Sequence, residues 1–366
     1  MADDRKIPEH IGVSNPYALA ELILKKKVNW KRVDSKKILE KTLGMDYEKL
    51  FDPKFDSPLY AGLKVDPLTK IVRRVDVVPA PKAVIDVGTS TIWADPGDFF
   101  EEAAELTDPV QGAVANCYFI AALSSVAWAR TYVIAQRSRA TGPAQQSFVD
   151  MFEFYKSGKP IQVEATELLP LSSPGNTFIY ARSSEPGEIW PAVYEKAFAK
   201  WITNDASDRP DILKTAYGDP VGALVALTGL TPTYYSNPAL TEDNIWQKVR
   251  ENSVSMKTFN PMVAWTYGTS PSPDVNYSNA HLVANHAYSI LGWQFTNNQK
   301  YIVLRNPWGN YEAILNVDNS VWTAWDAPYY GGPGYFKSIP MAANDGIFAL
   351  RVDTFKKYFA GFGLVK

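Results

Sequence analysis

The chain of 366 residues has one cysteine, three histidines and a net charge of only −2. A single cysteine cannot form a disulfide within the chain, which is typical of proteins from a reducing compartment. The nearly balanced charge gives no reason to expect binding to nucleic acid or to a charged membrane surface. No stretch approaches the roughly 20 apolar residues that span a bilayer, and no apolar signal core follows the polar N-terminus. We therefore expect a cytoplasmic protein without a membrane span.

The pattern of helix and strand signals divides the chain into three parts. Residues 1–90 contain two helix starts, the first at Asn15 and Pro16, followed by a proline-rich stretch that predicts an extended linker. Residues 91–228 carry two strongly predicted helices. Residues 229–366 are rich in strand patterns. This division predicts an N-terminal extension, a helical lobe and a β-rich lobe.

The only cysteine, Cys117, opens a predicted helix that is apolar nearly all round, as expected for a helix inside a domain. A thiol at a helix start can act as a nucleophile, because the helix amides favour the thiolate and lower the pKa of the thiol. Most unpaired cysteines are instead small buried hydrophobic residues. A catalytic role therefore requires a base, and a partner that orients the base, elsewhere in the chain.

A predicted β-hairpin supplies both. Its arms cover residues 285–293 and 300–306, so folding about the turn at 296–299 brings His286 close to Asn306. The imidazole can take the thiol proton and later protonate the leaving amine, while the asparagine amide orients the ring.

Two further residues fit the same chemistry. Trp308 follows the hairpin, where its ring can shield the bond between the histidine and the asparagine from water. Gln111, six residues before the thiol, can direct its amide N–H groups at a developing oxyanion. Each of these residues alone has an ordinary structural explanation, and His281 is a rival base in a loop without an oriented partner. Their joint occurrence favours a catalytic cysteine, histidine and asparagine.

Several short motifs resemble those of the calpain family of papain-like cysteine proteases, and they occur in the order found in that family. They are Gln111-Gly-x-x-x-Asn-Cys117-Tyr, Asn285-His286-Ala-Tyr-Ser and Arg305-Asn306-Pro-Trp-Gly-x-x-Glu312. The resemblance implies an α+β fold, namely a papain-like core with a helical lobe and a β-rich lobe, preceded by the N-terminal extension. It also implies a cleft between the lobes that binds an extended protein or peptide substrate.

The resemblance further implies calcium binding in the core. Asp108 and Glu195 match positions of the family's first calcium site, and Glu312 and Asp345 match parts of the second. Ile347 stands where a further carboxylate is expected, and calcium needs about six to eight oxygen ligands. The alternative is that these acids form salt bridges or lie at the surface. No organic cofactor is expected.

The leading hypothesis is a calpain-like cysteine endopeptidase in which Cys117 is the nucleophile, His286 the base and acid, Asn306 the orienting group and Gln111 the oxyanion donor. Two alternatives remain: a catalytically silent calpain-like binding module, and another acyl transferase with the same nucleophile, such as a transglutaminase-like enzyme. Residues 1–90 are expected to form a regulatory or pro-segment that packs on the core.

Overall fold

The computed structural model describes most of the chain, with gaps. The described residues are 11–51, 63–65, 72–74, 90–101, 103–140, 149–173, 176–313, 321–326, 335–341 and 343–366. Most of the predicted linker between residues 51 and 81 lies outside them.

The N-terminal region forms two short helices whose ends follow local sequence signals. Helix α1 (Pro16–Leu24) begins where the Asn15 side chain accepts hydrogen bonds from two backbone N–H groups, with proline in the first turn. Helix α2 (Ser35–Leu43) ends at Gly44, whose φ of 66° is the left-handed conformation that glycine adopts without strain. Both helices predicted for this region are therefore confirmed. Strands β1 (Leu63–Val65) and β2 (Val72–Arg74) pair antiparallel.

The middle of the chain contains four helices and two small antiparallel sheets. The helices are α3 (Cys117–Ala129), α4 (Thr131–Arg137), α5 (Trp190–Thr203) and α6 (Pro220–Thr228). One sheet has the order β3 (Ser90–Ala94), β7 (Leu169–Ser173), β8 (Thr177–Phe178), and the other has the order β4 (Ser138–Ala140), β5 (Val149–Lys156), β6 (Lys159–Thr166). Helix α3 is buried on all sides, as its uniformly apolar sequence predicts.

A seven-stranded antiparallel sheet dominates the rest of the chain. Its strands are β9 (Pro232–Ser236), β10 (Ser253–Val254), β11 (Lys257–Thr266), β12 (Ala287–Thr296), β13 (Gln299–Arg305), β16 (Ile347–Arg351) and β17 (Phe359–Val365). The strand order is β16-β13-β12-β11-β17-β9, and β10 pairs with β11. The accompanying helices are α7 (Glu242–Glu251), α8 (Tyr277–Ala280) and α9 (Val352–Tyr358), and β14 (Val321–Asp326) pairs separately with β15 (Tyr335–Pro340). The expected α+β class is confirmed.

Strands β12 and β13 form the predicted hairpin. Thr296 pairs with Gln299, and the two asparagines between them have φ angles of 50° and 57°. Two residues with positive φ form the tight turn that matches the twist of the flanking strands. The pairing of Ser289 with Arg305 at the other end places the residues just outside the two strands side by side.

Helix α3 joins the helical part of the chain to the sheet. Its residues share one core cluster with Val263 and Ala287 of the sheet, and Phe119 stacks on Phe198 with ring centroids 4.0 Å apart. The Ser125 hydroxyl donates to the Met262 carbonyl at 2.8 Å. The position of the thiol relative to strand β12 is therefore set by packing along the whole helix. None of the helices within the described ranges is long and apolar enough to cross a membrane.

Candidate active site

Cys117 lies at the first position of α3 and is fully buried. Its Sγ accepts a hydrogen bond from the Ala287 N–H of strand β12 at 3.4 Å. Asn116 makes no side-chain cap on the helix, and its side-chain N–H groups donate to Glu195 at 2.6 Å and to Thr215 at 3.0 Å. Burial raises the pKa of the Cys117 thiol to about 12. The expectation that the helix start lowers this pKa is wrong for this conformation, because the cost of desolvating the thiolate outweighs the nearby N–H groups.

His286 immediately precedes strand β12 and is held by its backbone. Its N–H donates to the Thr266 hydroxyl at 3.0 Å, and its carbonyl accepts from the Thr266 N–H at 3.0 Å. The ring nitrogen Nε2 lies 2.8 Å from Asn306 Oδ1. The other nitrogen, Nδ1, is buried and has no hydrogen-bond partner among the described residues. The predicted contact between the histidine and the asparagine is thus present.

The orientation of the Asn306 amide follows from its other contacts. Its Oδ1 also accepts from the Trp308 N–H at 3.1 Å, and its Nδ2 donates to the Tyr311 carbonyl at 3.0 Å. Exchanging the amide oxygen and nitrogen would break both bonds. Because Oδ1 can only accept, His286 Nε2 carries a hydrogen and Nδ1 has a free lone pair.

Aromatic rings exclude water from this pair. The Trp308 ring lies 5.0 Å from the imidazole, and the Tyr288 ring meets it edge-on at 4.9 Å. Trp308 is only 2% exposed, as expected for a shielding residue. Burial lowers the pKa of His286 to about 3, against the opposing effect of the Asn306 hydrogen bond. The imidazole is therefore neutral in this conformation at pH 7.

Gln111 precedes the Cys117 helix and is also fully buried. Its backbone N–H donates to the Pro307 carbonyl at 2.9 Å, which ties the loop before α3 to the residues after β13. Its side-chain Nε2 donates to the carbonyl oxygens of Val13 at 2.6 Å and of Val114 at 2.8 Å. The four candidate residues therefore lie close together, and Val13, near the start of the described chain, contacts them through Gln111.

The rival base His281 contacts Tyr311, whereas the Asn306 amide oxygen is used by His286. It follows helix α8 with a φ of 50°, and its ring stacks on Tyr311 with centroids 5.4 Å apart. The sequence did not single out Arg305, although it belongs to one of the quoted motifs. Its buried guanidinium donates to Ser124 of the Cys117 helix and to the Pro109 carbonyl, both at 2.9 Å. Arg305 thus links β13 to the helix that carries the thiol.

The two acids expected to form the first calcium site have different neighbours. Both carboxylate oxygens of Glu195 are engaged, one by Asn116 at 2.6 Å and the other by the Ala181 N–H at 2.9 Å. Asp108 instead lies with Glu185 and Glu188, and one carboxylate oxygen from each of the three lies within 4.8 Å of the other two. In the sequence these two glutamates stand just before helix α5, at least one helical turn before Glu195. This position is the signal by which they could have been found.

The second expected pair is adjacent. Glu312 Oε1 accepts hydrogen bonds from the backbone N–H groups of Asp345 at 3.0 Å and Gly346 at 3.1 Å. Burial and the neighbouring Asp345 raise the pKa of Glu312 to about 7. Ile347 supplies no carboxylate. Within the described ranges, only the trio around Asp108 gathers three acidic side chains closely enough to hold a metal ion.

Residues 87–365 match the sequence profile described as calpain family cysteine protease. A thiol protease of Porphyromonas gingivalis is 25% identical over 95% of this chain and 86% of its own length. Calpain clp-1 of Caenorhabditis elegans is 26% identical over 73% of this chain, and the calpain-1 catalytic subunit of Bos taurus is 25% identical over 73%. The alignments cover 34% and 36% of those two calpains, so this chain corresponds to about a third of their length. Because the matching profile covers well over half of the sequence, the chain belongs to the calpain family of cysteine proteases.

Proposed function

We propose that this chain is a cysteine endopeptidase that cleaves protein or peptide substrates. In this proposal Cys117 is the nucleophile, His286 the general base and acid, and Asn306 the residue that orients the imidazole. The observation that carries the proposal is the buried hydrogen bond of 2.8 Å between His286 Nε2 and Asn306 Oδ1. It commits one ring nitrogen to orientation and leaves the other for proton transfer.

The proposed reaction follows from the roles of the two nitrogens. His286 Nδ1 takes the proton of the Cys117 thiol, and the thiolate attacks the carbonyl carbon of the substrate. The imidazolium then donates that proton to the leaving amine, which departs and leaves an acyl group on sulfur. Water, deprotonated by Nδ1, releases the acyl group as a carboxylic acid and restores the thiol.

Gln111 is the proposed donor to the oxyanion. Its Nε2 already donates to a backbone carbonyl oxygen, that of Val13, at 2.6 Å. A donor that is in place for a carbonyl oxygen stabilises that oxygen further when it gains charge during attack. The buried position of Gln111, fixed through the Pro307 carbonyl, supports a role that needs little reorganisation.

The thiol and the imidazole are both neutral in this conformation, since burial moves their pKa values to about 12 and about 3. Turnover requires the charged thiolate and imidazolium, which low-dielectric surroundings disfavour unless the two groups pair directly. The catalytic state therefore differs from this one in hydration of the site or in contact between Cys117 Sγ and His286 Nδ1.

This closed, neutral site also supports a second candidate, the catalytically silent calpain-like binding module. Incubation with a peptidyl epoxide, followed by intact mass measurement, separates the two. A protease forms one adduct on Cys117, and C117A forms none. No adduct with or without calcium, on wild-type protein and on variants that displace the residues before helix α1, would refute the protease. Release of a free carboxylic acid from a peptide substrate, rather than transfer to an added amine, distinguishes hydrolysis from another acyl transfer.

We also propose that residues 91–228 and 229–366 form the two lobes and that residues 1–90 form the N-terminal extension. The seven-stranded sheet begins at Pro232, four residues after helix α6 ends, which supports a boundary near residue 228. The hydrogen bonds from Arg305 to Ser124 and Pro109 would then cross between the lobes. A cleft at this boundary suits an extended peptide.

We also propose that calcium binds at Asp108, Glu185 and Glu188 rather than at the expected pair of Asp108 and Glu195. Neither Asp108 Oδ1 nor Glu188 Oε1 receives a hydrogen bond from an N–H or O–H group in the described part of the chain. Burial and the carboxylates of Glu188 and Glu185 raise the pKa of Asp108 to about 8. Three crowded carboxylates, of which Asp108 and Glu188 each keep a buried oxygen without a donor, fit a divalent cation that would supply positive charge.

The melting temperature of the full chain in calcium tests this assignment, because a ligand that binds only the folded state raises it. We expect D108N and E188Q to lose the calcium-dependent rise, and E195Q to keep it, since the Glu195 oxygens already bind Asn116 and the Ala181 N–H. A rise that survives in D108N and E188Q but disappears in E195Q would restore the original pair.

A further inference from the structure

Residues 11–15, called segment 11–15 below, lie across the candidate catalytic residues. The Ile11 N–H donates to the Gly218 carbonyl at 3.2 Å, and the Gly218 N–H donates back to the Ile11 carbonyl at 3.2 Å. Two residues later, the Val13 carbonyl accepts from Gln111 Nε2 at 2.6 Å. The Val13 N–H faces the Cys117 thiol and lowers its pKa, against the larger effect of burial. Segment 11–15 thus pairs with the candidate nucleophile, with the candidate oxyanion donor and with the backbone beside them.

The same segment approaches the loop before Cys117 very closely. A Cβ atom placed on Gly12 would lie 2.2 Å from the Ala115 carbonyl oxygen, so only glycine fits at this position. The Asn15 N–H donates to the Gly112 carbonyl at 3.3 Å, and the Asn15 side chain donates to the Gln111 carbonyl at 2.7 Å. Segment 11–15 is therefore held against the backbone of residues 111–115.

Helix α1 anchors the segment on the far side of the site. Its first residues are buried, and the Tyr17 ring contacts the rings of Trp308 and Tyr311, each at 6.3 Å between centroids. Glu21 lies 3.4 Å from the guanidinium of Arg182. The ring that shields the imidazole is thus itself covered by the N-terminal extension.

An extended peptide substrate needs the backbone partners that segment 11–15 already uses. Its scissile carbonyl needs the Gln111 amide, and its carbon must reach the Cys117 sulfur, which the Val13 N–H now contacts. We propose that segment 11–15 is an intramolecular inhibitor, which excludes substrate from the cleft until it is displaced. The proposal that the covered cleft is a substrate site rests on the proposed protease function. The position of segment 11–15 rests only on the contacts of the segment.

The single cysteine provides a direct measure of the segment's displacement. Cys117 is the only thiol of the chain, so the alkylation by iodoacetamide that C117A lacks is alkylation of Cys117, and intact mass measurement follows it without a substrate. In wild-type protein the reagent reaches the thiol only when the segment leaves. The rate of alkylation therefore reports the fraction of molecules with an open cleft.

Two substitutions in the full chain displace the segment without replacing a candidate catalytic residue. G12A places a methyl group against the Ala115 carbonyl, and N15A removes the hydrogen bond to the Gln111 carbonyl together with the cap of helix α1. The matched control is D34A, which removes the cap of helix α2, a hydrogen bond of 3.1 Å to the Lys37 N–H. We expect alkylation about tenfold faster or more in G12A and N15A, and unchanged in D34A.

Hydrolysis of casein by the same proteins separates this inference from the proposed function. Faster alkylation together with faster hydrolysis in G12A and N15A supports both. Faster alkylation in these two variants without hydrolysis keeps segment 11–15 as the cover of the thiol and refutes the protease. Wild-type alkylation rates in both variants, with unchanged melting temperatures, overturn the inhibitor, as does equal acceleration in D34A. N15A retains a decisive result if G12A does not fold.

Discussion

The burial of His286 predicts that the stability of this protein depends on pH through one side chain. The unfolded imidazole has an ordinary pKa of 6.5, and burial lowers the folded value to about 3. At pH 7 both states hold a neutral ring. As the pH falls below 6.5, the imidazole binds a proton in the unfolded state but not in the folded state, so the free energy of unfolding decreases.

The magnitude follows from the two values. For each pH unit between the unfolded and folded pKa values, the free energy of unfolding falls by about 1.4 kcal/mol. The contribution of His286 therefore falls by about 2 kcal/mol between pH 7 and pH 5. The loss continues down to the folded pKa near 3 and then levels off. A change of about 2 kcal/mol is a large part of the 5–15 kcal/mol by which folded domains are typically stable.

Urea denaturation of wild type and H286Q at pH 7, 6 and 5 measures this contribution. We expect the free energy of unfolding of wild type to fall by about 2 kcal/mol more than that of H286Q over this range. H281Q is the matched control and should change the pH dependence less, because burial lowers the pKa of the half-buried His281 without enclosing the ring. Parallel curves for wild type and H286Q would refute the buried neutral imidazole.

Further predictions concern the other candidate groups and the core. Asn306→Ala frees the imidazole to rotate, and we expect kcat on a peptide to fall by about 100-fold. Asn306→Gln should not restore kcat, because the longer amide cannot keep the partners of the Asn306 amide. Gln111→Ala removes the oxyanion donor and should lower kcat about 10²- to 10³-fold with little change in KM. Steady-state kinetics of this substitution in the G12A or N15A protein measures the effect. Phe119→Ala empties the stack on Phe198, and urea denaturation should give a loss of about 3–5 kcal/mol. Unchanged kinetics in either amide variant, or a loss below 1 kcal/mol at Phe119, would contradict the assigned roles.

Local signals in the sequence determined several elements of this fold. Asn15 and Pro16 start helix α1, and Gly44 ends helix α2, because caps act through neighbouring backbone groups alone. The hairpin followed from two alternating arms around an asparagine turn, and it placed His286 beside Asn306 at 2.8 Å. The candidate site was predictable to this extent because its base and its orienting amide lie on adjacent strands.

Groups that depend on distant contacts could not be assigned in this way. Asp108 lies with Glu188 rather than with Glu195, because Asn116 and the Ala181 N–H occupy both Glu195 oxygens. The charge state of the site was likewise decided by burial, which comes from parts of the chain far apart in sequence.

The sequence by itself determined which residues can carry out the chemistry, since a thiol, an imidazole and two amides occur in motifs with characteristic spacing. Only the tertiary structure decided whether a substrate can reach them. Segment 11–15 lies about a hundred positions before Cys117, and its place over the thiol depends on backbone hydrogen bonds that no side-chain pattern encodes. Backbone hydrogen bonds of this kind can form with many side chains, provided that the two stretches fit together. Here the fit depends on Gly12, which has no side chain to collide with the Ala115 carbonyl.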